Sequence, residues 1–146
     1  MIRGLRARHD TGSISIELAI LMPAFLSLAL LATFLGRQTI AQTAVDLAAH
    51  DAARAASLAR NMTDALVAAR DAATTTLGAS STTCTSLAVN PVGANGFLVP
   101  VGQPASVTIS VACTISLADL AVLGLPASRV LTSVFTSPLD VYRERS

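Results

Sequence analysis

The chain has 146 residues, of which 52% are hydrophobic, 13% are charged and only 3% are aromatic. A length of this size favours one domain, and the composition is too apolar for an ordinary soluble domain. The net charge is +1. The sequence therefore excludes a basic surface field of the kind that holds nucleic acid.

Residues 1–12 form a short basic leader, with Arg3, Arg6 and Arg8 close to the apolar segment that follows at residues 13–36. Arginines concentrated on one flank of a membrane span keep that flank in the cytoplasm. The leader therefore predicts a cytoplasmic N-terminus and an extracytoplasmic C-terminus for a single-pass protein of the cytoplasmic membrane.

The segment after the leader is long enough to cross a bilayer. From Leu18 to Leu35 no side chain is charged, and only Pro23, Ser27 and Thr33 interrupt the apolar residues. About 20 helical residues cover a hydrocarbon core of about 30 Å. Glu17 is the exception at its edge, because a carboxylate near an apolar span either has a function or lies at the lipid headgroups.

A glycine, four residues and then a glutamate at the mouth of an apolar helix form the pattern of type IV prepilins and pseudopilins. The chain therefore resembles that superfamily. More narrowly, it resembles the TadE-like proteins of tight-adherence (Flp) pilus systems, which typically have an apolar residue and an alanine after the glutamate and a proline some six residues beyond it. In this chain those positions are Gly12, Glu17, Leu18, Ala19 and Pro23.

The resemblance implies a non-enzymatic minor pilin or pseudopilin that takes part in pilus assembly. It further implies that a prepilin peptidase cuts between Gly12 and Ser13, and that Glu17 then contacts the freed amino group of its own or a neighbouring chain. Pro23 would act in subunit assembly by loosening the helix, or would be a tolerated kink. The implied partners are the membrane, the peptidase, other pilins or pseudopilins and the assembly platform.

Three other interpretations stay open from the sequence. Some TadE-like proteins act as uncleaved membrane components of the assembly machinery. The chain could instead be a single-pass anchor for an extracytoplasmic binding module unrelated to pili. It could also be a small secreted protein whose signal is removed near residue 40, although an apolar stretch of this length exceeds the 7–15 residues of a signal peptide.

Residues 37–75 are rich in alanine and, up to Ala73, free of glycine and proline, which favours a helix. We therefore expect the membrane helix to continue outward as an amphipathic helix. We place its apolar face on the following residues: Leu47, Ala55, Leu58, Met62, Ala65 and Ala69. His50 is expected on the solvated side. An alanine stripe is too thin to form a core, so it requires the C-terminal region or another subunit as its partner.

Residues 76–146 predict a small β-rich head. Ala105–Ile115 alternates apolar and polar residues, as a strand with one buried face does. Cys84–Val89 and Val130–Thr136 are expected to be shorter strands, the latter ended by Pro138. Turn signals occur at 90–91 and 95–96, a linker covers 74–85, and one or two helical turns are expected over 116–123. The fold class is α+β, a long N-terminal helix with a small antiparallel head.

Cys84 and Cys113 both lie beyond the membrane segment, and two cysteines in an exported region predict one disulfide, with two unrelated free thiols as the alternative. Whether Cys84 takes part stays open, because the alternation of side chains along the expected strand Cys84–Val89 places Cys84 on the opposite face from Leu87 and Val89.

Chemistry-bearing patterns are missing from the sequence. It contains no phosphate-binding glycine loop, dinucleotide fingerprint, zinc-protease motif or nucleophile elbow. Two distant histidines and two cysteines without a C-x-x-C pair do not make a zinc site. We predict no catalytic residue, no metal, no cofactor and no small-molecule substrate.

Overall fold

The computed structural model describes residues 11–116, 128–142 and 144, and its side chains from residue 16 onward. The chain divides into two compact units, residues 1–38 and 39–146. Each is described by itself below. The α+β class is confirmed, with a long N-terminal helix and a three-stranded antiparallel sheet.

Helix α1 runs from Thr11 to Ser57, so it supplies the described part of the first unit and the beginning of the second. The expected continuous helix over 37–75 is interrupted, because the chain turns between Leu58 and Asn61 and a second helix, α2, covers Met62–Ala79. The amides of Leu58 and Ala59 donate to carbonyls only three residues back, which tightens and ends α1.

Asn61 restarts the helix. Its backbone is extended, and its side-chain oxygen accepts a hydrogen bond of 2.9 Å from the Asp64 amide. Its amide nitrogen also donates to the Asp64 carboxylate at 3.0 Å. An asparagine at this position satisfies one of the free N–H groups at a helix start, and an acid in the first turn favours the helix dipole. These contacts explain why a chain free of glycine and proline still breaks here.

Helix α2 extends four residues beyond the expected end of the helix at residue 75. The hydroxyls of Thr74 and Thr75 both donate to the carbonyl of Asp71, so these threonines are satisfied inside the helix. Leu77 is buried one turn later. Burial of that leucine outweighs the weak helix preference of the threonines, which sequence reasoning read as a linker.

The sheet contains β1 (Ser86–Pro91), β2 (Ala105–Ser116) and β3 (Ser128–Leu139), in that order. The prediction for β2 is confirmed. The first strand starts two residues later than expected and includes the turn signal at 90–91, and β3 is longer at both ends. Pro138 lies inside β3 and pairs with Ser106. The predicted helical turns over 116–123 lie almost wholly outside the described residues.

The core of the second unit lies between one face of the sheet and the alanines of the two helices. From the sheet side it contains Val89, Val107, Ile109, Val111, Cys113, Leu131 and Leu139. A short 3-10 helix at Gly96–Leu98 adds the buried Phe97. Gly96 is required there, because a Cβ at this position would collide with the backbone carbonyl of Ser106.

The buried face of α1 differs from the expected one. Leu47 and Leu58 are exposed, whereas the buried positions are almost all alanines. They are Ala44, Val45, Ala48, Ala49, Ala52, Ala53 and Ala56. In α2, the predicted Ala65 and Ala69 are buried together with Ala73 and Leu77. The expectation was wrong for α1 because it gave weight to the larger apolar side chains.

Candidate membrane-spanning and assembly segment

The N-terminal part of α1 carries large apolar side chains that are more than half exposed. Between residues 16 and 35 these exposed side chains are Ile16, Leu18, Ile20, Leu21, Met22, Phe25, Leu26, Leu28, Leu30, Leu31 and Leu35. Among the described residues, α1 is also the one helix long and apolar enough to cross a membrane. Soluble proteins rarely expose a contiguous apolar surface of this extent, so the segment requires lipid or partner helices around it.

The two hydroxyl groups within this segment are already satisfied. Ser27 Oγ donates to the carbonyl of Ala24 at 2.8 Å, and Thr33 Oγ1 donates to the carbonyl of Leu30 at 2.8 Å. A hydroxyl that enters hydrocarbon without a partner costs several kcal/mol. Because both donate within their own helix, neither opposes transfer of the segment into lipid.

The helix continues through Pro23. Proline has no N–H, so the carbonyl of Ala19, four residues earlier, lacks its usual helical donor. Such a position is tolerated in a membrane helix when local adjustment or a neighbouring helix satisfies the carbonyl. The structure therefore contains the proline inside a helix, as expected, and its part in assembly stays a prediction.

Glu17 and Arg37 bound the uncharged part of α1. Arg37 lies 20 residues after Glu17, which is about 30 Å along a helix. This length equals the hydrocarbon thickness of a typical bilayer. Both side chains are exposed. A helix placed across a bilayer can therefore keep both charges at the two headgroup layers without displacing any other polar group.

Gly12 and Ser13 belong to the first turn of α1, where the structure describes the backbone alone. The leader up to Asp10 lies outside the described residues. Ser13 precedes Glu17 by four residues, which is about one helical turn. The proposed cleavage between Gly12 and Ser13, and the contact of Glu17 with a new amino terminus, stay predictions.

Cys84 and Cys113 form a disulfide, with their Cα atoms 5.4 Å apart. Cys113 is fully buried on β2, whereas Cys84 precedes β1 and is only half-buried. The alternation that made Cys84 doubtful does not apply, because this residue lies outside the strand. A crosslink across 29 residues stabilises the fold by about 3–4 kcal/mol in the chain-entropy model.

One polar cluster joins α1, α2 and β3 in the second unit. The His50 ring makes an edge contact with Phe135, with 4.6 Å between ring centroids, so His50 is not on a fully solvated face as expected. His50 Nδ1 lies 3.3 Å from an Asp51 carboxylate oxygen, and the Thr76 hydroxyl donates to the other at 2.7 Å. The sequence held no pattern that could have joined residues so far apart.

The Thr76 hydroxyl lowers the pKa of Asp51 below its ordinary value of 3.8, and His50 contributes in the same direction, against the opposing effect of partial burial. The cluster is a structural contact between the helices. No group of three or more His, Cys, Asp or Glu residues within the described ranges is arranged to hold a metal ion.

Comparison with known proteins gives a match for the N-terminal region. The family model described as TadE-like protein matches residues 12–54. No curated protein and no solved structure matches the chain. The matched region extends beyond the apolar segment into the alanine face of α1, and it leaves the sheet unmatched. Residues 12–54 are therefore similar to the TadE-like family, and the resemblance predicted from the N-terminal motif is confirmed.

Proposed function

We propose that this protein is a non-enzymatic minor pilin or pseudopilin that takes part in tight-adherence (Flp) pilus assembly at the cytoplasmic membrane. The observation that carries the proposal is the TadE-like match over residues 12–54, on a helix that exposes eleven large apolar side chains between residues 16 and 35. The match supplies the connection with tight-adherence pili. The exposed helix supplies a surface that can occupy lipid and then exchange lipid for other helices.

The first step in this proposal is insertion. Residues 13–36 cross the membrane with the basic leader in the cytoplasm and residues 39–146 outside, because arginines flank the segment on its N-terminal side. An extracytoplasmic location also agrees with the disulfide, since disulfides persist in oxidising compartments.

The second step is processing and assembly. A prepilin peptidase cuts between Gly12 and Ser13, which creates an amino group about one helical turn from Glu17. An ionised carboxylate that enters an apolar bundle requires a partner of opposite charge. The new ammonium group of the same or a neighbouring chain is that partner, and it draws the helix toward other pilins or the assembly platform.

The first test is the N-terminal residue and intact mass of the protein taken from native membranes. A chain that begins at Ser13 supports prepilin-type processing. A chain that retains Met1 contradicts the cleavage step and leaves an uncleaved membrane component. A chain that begins near residue 40 contradicts the whole proposal, because the segment would then be a removed signal.

The second test separates pilus assembly from a simple membrane anchor. Glu17→Ala should abolish pili while the protein still inserts, and Glu17→Gln should fail as well because it keeps the size but removes the charge. Asp71→Ala, which removes an exposed carboxylate of α2, is the matched control and should leave pili unchanged. Normal piliation of both Glu17 variants would instead favour an anchored extracytoplasmic module.

A further inference from the structure

The two outer strands of the sheet differ in how well their open edges are protected. β1 has six residues, includes Pro91 and contacts α2. β3 has 12 residues, and within the described part of the chain no strand lies beyond it. Proteins usually protect an exposed edge with a short strand, charges, proline or a covering element, since its free N–H and C=O groups pair with other strands. β1 has such protection along its whole length, whereas among the described residues β3 has only Arg129 near its start and Pro138 near its end.

The hydrogen bonds show which residues of β3 direct their backbone toward the open edge. The Val92 amide donates to the Thr108 carbonyl, so the backbone groups of Thr108 point toward β1. Directions alternate along an antiparallel strand, so Ile109 points toward β3 and bonds its register partner Phe135. The residues on either side of Phe135 therefore point outward.

By the same alternation, five residues of β3 present their N–H and C=O groups at the open edge. They are Ser128, Val130, Thr132, Val134 and Thr136. Pro138 is next in this series, so its backbone nitrogen also points away from β2. The N–H that a proline lacks is therefore not needed for pairing with β2, which explains why a proline is tolerated inside β3. On β1 the same reasoning leaves only Leu87 and Val89 as outward donors, because Pro91 has none.

The side chains of these five β3 residues are exposed and uncharged. Val130 is 61% exposed and Val134 53% exposed, which is unusual for valines in a strand. The neighbouring positions of β2 on the same sheet face are also neutral, from Ser106 to Ser116. On this sheet face a second strand can thus approach the edge without desolvating a charge, because Arg129, the one charged residue of β3, belongs by the same alternation to the opposite face.

We propose that β3 pairs in antiparallel orientation with β3 of a second copy of this chain, to give a six-stranded sheet across two molecules. A two-fold contact brings the same surface of both copies together, so the surface must complement itself. The five outward-pointing residues, with valine and threonine in alternation and no charge, meet this requirement. The chain's net charge of +1 adds little repulsion between copies.

Pro138 fixes the register. The longest symmetric ladder that keeps this proline out covers residues 128–136, so the two-fold axis passes through Thr132. Val130 then faces Val134 of the second copy, and Thr132 faces Thr132. Facing valines and facing threonines are favourable cross-strand pairs. The proposal stands independently of pilus assembly, because it rests on the sheet alone.

Disulfide trapping in membranes that contain the full-length protein tests the contact. The Cα atoms of a hydrogen-bonded antiparallel pair lie about 5.5 Å apart, within the range of a disulfide. Thr132→Cys should therefore give a dimer of twice the chain mass under mild oxidation. Ala88→Cys, an exposed residue on the same face of β1, is the control and should give at least tenfold less dimer.

A second pair of variants tests the register. Chains with Val130→Cys and Val134→Cys, expressed together with different tags, should crosslink with each other. Val130→Cys alone should not, because its two copies would lie about 13 Å apart along the strands. Adding Val134→Lys to the Thr132→Cys chain should reduce the dimer at least tenfold, since two charges would enter the ladder, whereas Ala88→Lys should leave it unchanged.

Each other outcome overturns the proposal. Equal crosslinking of Thr132→Cys and Ala88→Cys would show random collision. A crosslinked product of a different mass would show that another protein occupies the edge. A monomer from Thr132→Cys whose native disulfide is intact by mass spectrometry would show that the edge stays open, and it would leave the pilus proposal untouched.

Discussion

Two parts of helix α1 differ in the side chains that they expose and bury. The first part exposes large apolar side chains, and the second buries small ones. Residues 16–35 of α1 carry leucine, isoleucine, methionine and phenylalanine, and all the large ones named above are at least half exposed. Residues 44–56 carry alanine at nearly every buried position, with exposures of 0–3%. The large apolar side chains are exposed within the described chain, and the small ones belong to the core that the two helices and the sheet form.

This difference shows that side-chain size, as well as hydrophobicity, decides what each part of the helix packs against. Large apolar side chains gain most from transfer into lipid or a helix bundle. Alanine gains little by burial, but it lets a helix come close to a sheet and to another helix without a gap. The predictions below test this division, from the largest expected effect to the smallest.

The largest effect is expected from charges placed in the first part. Leu26→Arg with Leu30→Arg should raise the free energy of membrane insertion by about 6 kcal/mol, because each exchange costs about 3 kcal/mol at the centre of a span. We expect alkaline carbonate to extract this protein from membranes. Leu47→Arg with Leu58→Arg, at equally exposed leucines of the second unit, should remain in the membrane pellet. If both double variants or neither were extracted, the two parts of α1 would not differ in their contact with the membrane.

The disulfide should account for the next largest effect. Cys84→Ser with Cys113→Ser should lower the free energy of unfolding of the second unit by about 3–4 kcal/mol, since the unfolded chain regains its freedom. Pulse proteolysis in urea on the detergent-solubilised protein measures this loss. Reductant should destabilise the wild type by a similar amount and the variant not at all. A variant as stable as the wild type would show that the crosslink does not contribute to the free energy of unfolding.

Overpacking the alanine face should have an intermediate effect. Ala52→Leu inserts three carbons at a position with 0% exposure, which should cost about 1–3 kcal/mol. The same exchange at Ala32, an exposed residue of the first part, should leave the urea midpoint unchanged. If Ala52→Leu were as stable as Ala32→Leu, close approach to the sheet would not be the reason for the alanines.

The smallest effect is expected at Asp51, the polar exception beside the buried face. Its pKa is lowered in the folded protein, chiefly by Thr76. Its stabilising contribution is therefore fully present above pH 3.8 and declines as the pH falls through the lower folded-state pKa. Because the group is half exposed, the contribution should be at most about 1 kcal/mol.

Thr76→Val should therefore lower the stability near neutral pH and flatten its decline in acid. The measurement is the urea midpoint as a function of pH. Thr75→Val is the matched control, because the Thr75 hydroxyl bonds only within its own helix. Identical acid profiles for the two variants would show that the contact with Asp51 has no energetic weight.

Much of the fold could be predicted because its signals are local. The strand β2 follows from its alternation, and the apolar segment follows from its length and lack of charge. The two cysteines, both beyond the apolar segment, predicted the disulfide. The break at Leu58–Asn61 also had a local signal, an asparagine followed three residues later by an acid, but the alanine-rich composition around it concealed this pair.

By itself, the sequence determined the membrane-length helix, the TadE-like motif, the disulfide partners and the α+β class, because each depends on residue type and spacing along the chain. Only the tertiary structure decided which face of α1 is buried, how far α2 and β3 extend, and which β3 residues face the open edge. Those features depend on contacts between residues far apart in the chain. Alanine gives little periodic signal of its own, so the packing of the sheet against the helices selects the face.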